Sequence, residues 1–203
     1  MSKQFSRYGI LFVISAPSGA GKTTLVAALR QTSELAYSVS CTTRAPRAGE
    51  IDGEDYQFLS DADFRARVKS GDFLEYAQVH GDFYGTLHEP VITNLKNGVD
   101  VLIDIDTQGA AAIRNCDDRI IRQALADVFI MPPDLKELRR RLTKRATETT
   151  QQIESRLATA VREMELWRDY RYTIISRSVE EDLQKFRHIM SGEGYLSRRL
   201  IQK

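Results

Sequence analysis

The feature that most constrains this chain is a run of small residues between a strand-like and a helix-like segment. Residues 8–15 (YGILFVIS) are apolar and rich in β-branched side chains, which predicts a buried strand. Residues 16–23 then read APSGAGKT, and residues 22–31 carry apolar side chains at a helical spacing. Apart from alanine at its first position, the run matches the phosphate-binding pattern G-x-x-x-x-G-K-[ST]. The order strand, loop, helix therefore predicts a P-loop.

Such a loop binds phosphate because small residues let successive backbone N–H groups close around an anion at the positive end of a helix. We expect Lys22 to reach the β- and γ-phosphates of ATP and the Thr23 hydroxyl to bind Mg²⁺. Ala16 restricts φ at the turn but removes no N–H donor. The predicted ATP-binding residues are Ala16, Pro17, Ser18, Gly19, Ala20, Gly21, Lys22 and Thr23.

The remainder of the chain alternates apolar strand-like runs with helix-like segments. Runs at 99–106, 127–131 and 172–176 join the first run as predicted core strands. This alternation predicts an α/β fold, a P-loop NTPase-type parallel sheet flanked by helices. The segment 36–97 breaks the alternation with short strands and loops, so we expect it to form an inserted subdomain.

Local signals predict the shorter elements. Ser60 and Asp63 resemble a capping box that opens a helix through Val68, which Gly71 closes. Strands are expected at 37–41 and 73–79, a polar loop at 44–55, a short helix after 106, and further helices at 22–31, 89–97, 134–145, 151–169 and 179–190. We predict a single domain, 1–203, divided into a core of about 8–35, 98–133 and 170–191, an insertion of about 36–97 and a lid of about 134–169.

Composition narrows the class of protein. The 203 residues carry 29 Lys plus Arg and 28 Asp plus Glu, and this balance argues against a dedicated nucleic-acid binder. The longest strongly apolar run, residues 10–16, is far shorter than the roughly 20 residues of a membrane span. No secretory signal is recognisable, and Cys41 and Cys116 form neither a disulfide framework nor a metal motif. We expect a cytoplasmic domain that binds neither membrane nor nucleic acid.

A second motif lies in residues 38–50, which read SVSCTTRAPRAGE. Arg44 and Arg47 flank a proline in a loop, an arrangement that makes a rigid cationic fork suited to a monophosphate. Tyr56, and Tyr84 within the segment GDFYGT, offer further hydroxyl groups for a phosphate. Each of these residues alone is weak evidence for a phosphate site, because surface arginines are usually solvated and loop tyrosines usually pack against other side chains.

At these residues the chain resembles the guanylate kinases, the enzymes that phosphorylate GMP. The resemblance runs through the P-loop, residues 38–50, FLEYAQ, GDFYGT, LIDIDTQG and RLTKR, and it covers about residues 8–176. It implies that the insertion binds GMP. The implied phosphate contacts are Arg44, Arg47, Tyr56 and Tyr84, with Glu50 orienting the arginines of its loop, and the implied guanine contacts are Ser40 and Glu75, with Thr86 nearby.

Two carboxylates and three arginines complete the expected site. Asp104 and Asp106 stand two apart on the predicted strand 99–106, so we expect both to point to one face at its carboxyl end. The resemblance implies that they contact the acceptor, with Asp106 also near Mg²⁺ through water. It further implies that Arg141, Arg145 and Arg156 close on the transferring phosphoryl group. The expected catalytic residues are Lys22, Arg44, Arg141, Arg145 and Arg156.

The sequence also departs from the family. Ser176-Arg177 stands where relatives usually have Asn-Asp after the last core strand, which puts a base contact there in doubt. Ala146 replaces the usual glycine after the second lid arginine. The C-terminal segment 193–203, with Arg198, Arg199 and Lys203, fits a solvated tail or an oligomer contact, and the tail is the favoured interpretation. The oligomeric state does not follow from the sequence.

The predicted function is ATP-dependent phosphorylation of GMP to GDP, with ATP as phosphoryl donor and Mg²⁺ as cofactor. Two alternatives stay open. A guanylate-kinase-like module that binds proteins and turns over no nucleotide would be free to lose Lys22, Arg44 and Arg145, yet all three are present. A P-loop kinase for a sugar phosphate would leave Ser40 and Glu75 without a base to bind.

Overall fold

The main sheet of the protein has five parallel strands. The computed structural model describes residues 5–79, 81–144 and 150–202. The strands are β2 (Leu11–Ser15), β3 (Ala36–Tyr37), β8 (Val101–Asp104), β9 (Leu125–Met131) and β10 (Tyr172–Ile175). Across the sheet their order is β10-β9-β2-β8-β3, so β2 lies in the centre and leads directly into the P-loop. The α/β fold with a parallel core sheet is confirmed.

Helices cover both faces of this sheet: α1 (Lys22–Arg30), α3 (His88–Lys96), α4 (Thr107–Arg114), α5 (Arg119–Ala124) and α8 (Val179–Gly194). Alternate side chains of β2 point to opposite faces, as strand geometry requires. Leu11 and Val13 belong to a buried cluster with α3, α4 and α5. Phe12 and Ile14 belong to a second cluster with α1 and α8. Both faces of β2 are therefore fully buried, which explains its continuous apolar run.

A second, four-stranded sheet is built from β4 (Cys41–Thr42), β5 (Gln57–Phe58), β6 (Phe73–Val79) and β7 (Asp82–Leu87). Their order is β5-β4-β7-β6, and β6 and β7 are antiparallel neighbours. Helix α2 (Asp61–Ser70) begins as predicted, because the Ser60 hydroxyl accepts a hydrogen bond from the Asp63 N–H. Phe64 of α2 stacks on Phe73 and Phe83 and so holds the helix against the sheet.

Two further helices, α6 (Leu135–Lys144) and α7 (Thr150–Met164), form a pair next to the P-loop. Leu138 and Leu142 of α6 are buried against Leu157 and Ala160 of α7. A Cβ atom built on Gly19 of the P-loop would lie 2.8 Å from Leu142 Cδ2. The P-loop glycine therefore lets α6 pack directly on the phosphate-binding loop.

Several predicted element bounds are wrong. The single strand expected at 37–41 is two strands, β3 and β4, in different sheets. The strand expected to continue to Asp106 ends at Asp104. The helix expected at 151–169 is an α-helix only as far as Met164, and the next residues, Glu165–Asp169, form a 3-10 helix. Strand β7 and helix α5 were not predicted.

The C-terminal segment is anchored, so the favoured interpretation as a solvated tail is wrong. Strand β11 (Leu200–Gln202) pairs antiparallel with β1 (Phe5–Arg7). The Arg199 side chain is 2% exposed and donates to the carbonyls of Gln123 at 2.7 Å and Ala124 at 3.0 Å. It also pairs with the buried Glu193 carboxylate. Arg198 is exposed, and Lys203 lies outside the described residues.

Within the described part of the chain, no helix has the length and apolar character that a membrane span requires.

Candidate active site

The P-loop joins the end of β2 to the start of α1 through two glycines in the left-handed region. Gly19 has φ of +85° and Gly21 has φ of +110°, values that other residues rarely adopt. Ser33 is the one non-glycine residue with positive φ in the described ranges. Ala16 therefore occupies the first loop position without backbone strain, and its methyl group is compatible with the turn. Thr23 is exposed in the first turn of α1.

Lys22 points back across the carboxyl edge of the sheet. Its Nζ donates to the Ile105 carbonyl at 3.2 Å and lies 3.5 Å from Asp104 Oδ2. The other Asp104 oxygen accepts a hydrogen bond of 2.5 Å from the Tyr37 hydroxyl. Burial and the Asp104 carboxylate together raise the pKa of Tyr37 above its usual range, so the phenol stays a donor. Asp104 thus holds Lys22 at the mouth of the P-loop.

Asp106 does not share a strand with Asp104. It is the N-cap of α4, and its Oδ1 accepts a hydrogen bond of 2.8 Å from the Gly109 N–H. The argument from strand alternation therefore fails, because β8 has already ended. Both carboxylates nevertheless line the same cleft.

The arginine loop of residues 44–50 is braced internally. Arg44 donates two hydrogen bonds to Glu50, of 3.0 Å and 2.9 Å, and its guanidinium lies over the Tyr56 ring. This pairing lowers the pKa of the Glu50 carboxyl and raises that of Arg44. Glu50 also accepts from the Arg47 backbone N–H at 2.7 Å, while the Arg47 side chain is exposed. Glu50 therefore braces the loop.

Glu75 and Thr86 form a buried pair on the neighbouring strands β6 and β7. Thr86 Oγ1 donates a hydrogen bond to Glu75 Oε1 at 2.7 Å. Thr86 is 0% exposed and Glu75 is 6% exposed. Burial raises the pKa of the Glu75 carboxyl to about 7, with a smaller contribution from Asp106, against the opposing hydrogen bonds from Thr86. A carboxylate kept so far from water is suited to a ligand that donates hydrogen bonds.

One cleft of about 390 Å³ brings most of these groups together. Its walls come from the P-loop, the four-stranded sheet, the β8–α4 connection and α7. The predicted site residues that line it are Lys22, Ser40, Tyr56, Glu75, Tyr84, Asp104, Asp106 and Arg156. Thr86 stands behind Glu75, and Arg44 packs beside Tyr56 at the rim.

Arg141 lines a different cleft, of about 460 Å³, which borders Gly19 and Gly21 of the P-loop and the first turn of α1. Its guanidinium donates to the Ala20 carbonyl at 2.7 Å and to Ser176 Oγ at 3.2 Å, and its Nε pairs with Glu137. Arg141 therefore ties α6 to the P-loop and to the end of β10. Arg145 and Ala146 lie outside the described residues.

Sequence reasoning missed several residues at these clefts. Burial raises the pKa of Glu163 in α7, against an opposing effect of the Ser18 backbone N–H in the P-loop. Tyr37 and Glu137 orient Asp104 and Arg141, and Ser176 contacts Arg141 although it departs from the family pattern. The one available signal was the spacing Glu137–Arg141, four residues apart on a predicted helix.

Comparisons with known proteins show which family this chain resembles over most of its length. The guanylate kinase family model matches residues 8–193. A guanylate kinase of Chelativorans sp. (strain BNC1) is 44% identical over 193 residues, 95% of this chain and 87% of that protein. A guanylate kinase of Dechloromonas aromatica (strain RCB) is 44% identical over 187 residues, 92% of this chain and 90% of that protein.

A solved structure of a guanylate kinase has a similar fold. The crystal structure of guanylate kinase from Anaplasma phagocytophilum superposes with a TM-score of 0.78 at 31% identity. The match covers 97% of this chain and 92% of that one. Since the family model, the sequence relatives and the solved structure all span nearly the whole chain, the chain belongs to the guanylate kinase family, the kinases that phosphorylate GMP.

Proposed function

We propose that this member of the guanylate kinase family transfers the terminal phosphoryl group of ATP directly to GMP in the 390 Å³ cleft. The observation that carries the proposal is that Lys22, at the mouth of the P-loop, shares this cleft with Glu75 and Tyr84 of the four-stranded sheet. In this proposal residues 36–97 form the GMP-binding insertion and residues 134–169 form the lid. Phosphoryl transfer needs positioning and charge neutralisation more than covalent chemistry from the protein.

The P-loop holds the donor. The backbone N–H groups around Gly19 and Gly21 face the phosphates of ATP, and Lys22 neutralises their charge. On binding ATP, Lys22 exchanges its contacts with Asp104 and the Ile105 carbonyl for phosphate oxygens. Asp104 therefore keeps the ammonium group in place before the donor arrives.

The residues at the P-loop fit Mg²⁺. No group of three or more His, Cys, Asp or Glu able to hold a metal occurs in the parts of the chain that the structure describes. Mg²⁺ instead favours one or two protein oxygens together with substrate phosphates and water. The Thr23 hydroxyl is exposed and would supply one oxygen, and Asp106 would act through water. When bound, Mg²⁺ neutralises charge on the phosphates of the donor.

The arginine loop holds the phosphate of GMP. Arg44 presents a guanidinium already fixed by Glu50, and Arg47, Tyr56 and Tyr84 add a second cation and two hydroxyls. Because a charged fork matches a phosphate better than a single ammonium group does, two arginines suit this role. A phosphate oxygen of GMP is already a nucleophile, so no general base is required.

Glu75 selects the base. Guanine presents its N1–H and 2-amino groups as adjacent donors, and the ionised Glu75 carboxylate accepts from both. Ser40, 7% exposed in the same cleft, serves the neighbouring O6 edge. Arg156 lines the cleft from α7 and stabilises the transferring phosphoryl group, with Arg141 and Arg145 joining it when the lid closes. Closure excludes water and so suppresses hydrolysis of ATP.

A coupled assay of ADP release with GMP, AMP and ribose phosphates tests the function. The proposal predicts rapid release with GMP alone among these acceptors. A silent interaction module releases no ADP with any acceptor, and a sugar-phosphate kinase responds to the ribose phosphates. Either of those results contradicts the proposal.

A further inference from the structure

Gly109 stands directly beside the carboxylate that we assign to guanine recognition. It lies in the first turn of α4 and is buried. A Cβ atom built on Gly109 would lie 2.7 Å from Glu75 Oε2 and 3.2 Å from Glu75 Cδ. Real Cβ atoms essentially never come within 3.0 Å of another heavy atom. The missing side chain therefore creates the space that Glu75 Oε2 occupies.

The two oxygens of Glu75 are held in different ways. Oε1 is fixed by the hydrogen bond from Thr86, whereas Oε2 lies against the open face of Gly109. The carboxylate is the free end of a side chain, and the backbone opposite is anchored. The Gly109 N–H is bonded to Asp106, and the next residue, Ala110, is 1% exposed in the core.

We propose that Gly109 is a specificity-determining position for the acceptor nucleotide, because its missing Cβ lets Glu75 Oε2 take the orientation that guanine requires. This inference rests on the proposed role of Glu75. Gly109 touches no substrate and acts through Glu75, so it is a positioning residue. A methyl group at position 109 moves the carboxylate and not the helix, since the carboxylate is the part that can yield.

The test compares Gly109→Ala with a matched control, Gly192→Ala. Both glycines lie in helices, but a Cβ atom at Gly192 would meet nothing within 4 Å. Alanine favours a helix over glycine at both positions. A difference between the two variants therefore reports what a Cβ atom meets at position 109, which is the Glu75 carboxylate at 2.7 Å and Ile105 Cδ1 at 3.2 Å.

For each protein, kcat and KM are measured with GMP and with ATP, and thermal unfolding is recorded. In Gly109→Ala we expect the KM for GMP to rise at least tenfold, the KM for ATP to stay within twofold, and Tm not to fall. Gly192→Ala keeps native kinetics. A purely structural role of Gly109 instead lowers Tm and affects both substrates. The proposal is overturned if the KM for GMP is unchanged, if the KM for ATP rises as much as the KM for GMP, or if the variant fails to fold.

A double-mutant cycle with Glu75→Ala, which removes the carboxylate that the methyl group would meet, shows whether the effect passes through Glu75. We expect Gly109→Ala to add less than twofold to the GMP defect of Glu75→Ala. Fully additive effects contradict the role of Gly109. If Glu75→Ala alone leaves GMP use unchanged, the proposed role of Glu75 fails, which is a different and separable result.

Discussion

Replacing Glu75 by glutamine should stabilise the ligand-free protein at neutral pH. Burial raises the pKa of Glu75 from an ordinary 4.5 to about 7 in the folded chain. The folded state therefore binds this proton more tightly than the unfolded state does. Below pH 4.5 the group is protonated in both states and has no effect. Between pH 4.5 and about 7 the carboxyl ionises in the unfolded chain but stays protonated in the folded one, so the fold loses stability over this range, by about 3 kcal/mol for a shift of this size.

Glutamine keeps the shape of the side chain and never ionises. The free energy of unfolding of Glu75→Gln should therefore exceed that of the native protein by up to about 3 kcal/mol at pH 8 and by almost nothing at pH 4.5. Denaturant unfolding followed by circular dichroism at the two pH values measures this. Glu50→Gln is the control, because Arg44 lowers the pKa of the Glu50 carboxyl and no gain in stability is expected. Equal stability of Glu75→Gln and the native protein at pH 8 would refute the reasoning.

Three further substitutions test other parts of the site. Lys22→Met should abolish phosphoryl transfer and change stability by less than about 1 kcal/mol, since its ion pair with Asp104 is partly exposed; turnover and thermal unfolding check this. Arg44→Ala should weaken GMP binding roughly 10–100-fold, the value of a charge-assisted contact, and leave ATP affinity unchanged in a calorimetric titration. Ala16→Gly should leave the ATP affinity within twofold and destabilise the protein by about 0.4–1 kcal/mol, because alanine is unstrained there. Tighter ATP binding by Ala16→Gly would contradict that account of the loop.

The long strands and most helices could be predicted, because burial on both sides leaves a readable apolar run. Strands β3 and β4 have two residues each, too few for any periodicity, and were merged. Strand β7 was missed because glycine residues at 81 and 85 resembled a loop, whereas Gly85 in fact lies opposite Tyr76 in the ladder. The C-terminal anchor depends on Arg199 reaching carbonyls 74–76 residues away, which no local pattern records.

The residues of the candidate site were likewise predictable from the sequence only where they lie in a contiguous motif. Contiguous motifs predicted Lys22, Arg44 and Glu50. Arg44 and Glu50 pair within one loop, whereas Lys22 contacts the distant Asp104 and the Ile105 carbonyl. The contacts between Tyr37 and Asp104, and between Arg141 and Ser176, join segments that meet only in the folded chain. The position of Asp106, in contrast, was predicted wrongly from a local pattern. Its spacing from Asp104 suggested a shared strand face, but its side chain caps the next helix.

The measurement that tests the central claim most directly is kcat/KM for GMP and for AMP, in the native protein and in Glu75→Gln. Adenine lacks the 2-amino group and has a lone pair at N1, so it leaves the buried Glu75 carboxylate unmatched. Sites of this kind reject such analogues by roughly 10⁴–10⁵. We expect AMP to be poorer than GMP by about that factor for the native protein, and the ratio to narrow in Glu75→Gln through loss of GMP use. A native protein that uses AMP within about tenfold of GMP, or an unchanged ratio in Glu75→Gln, would contradict the account.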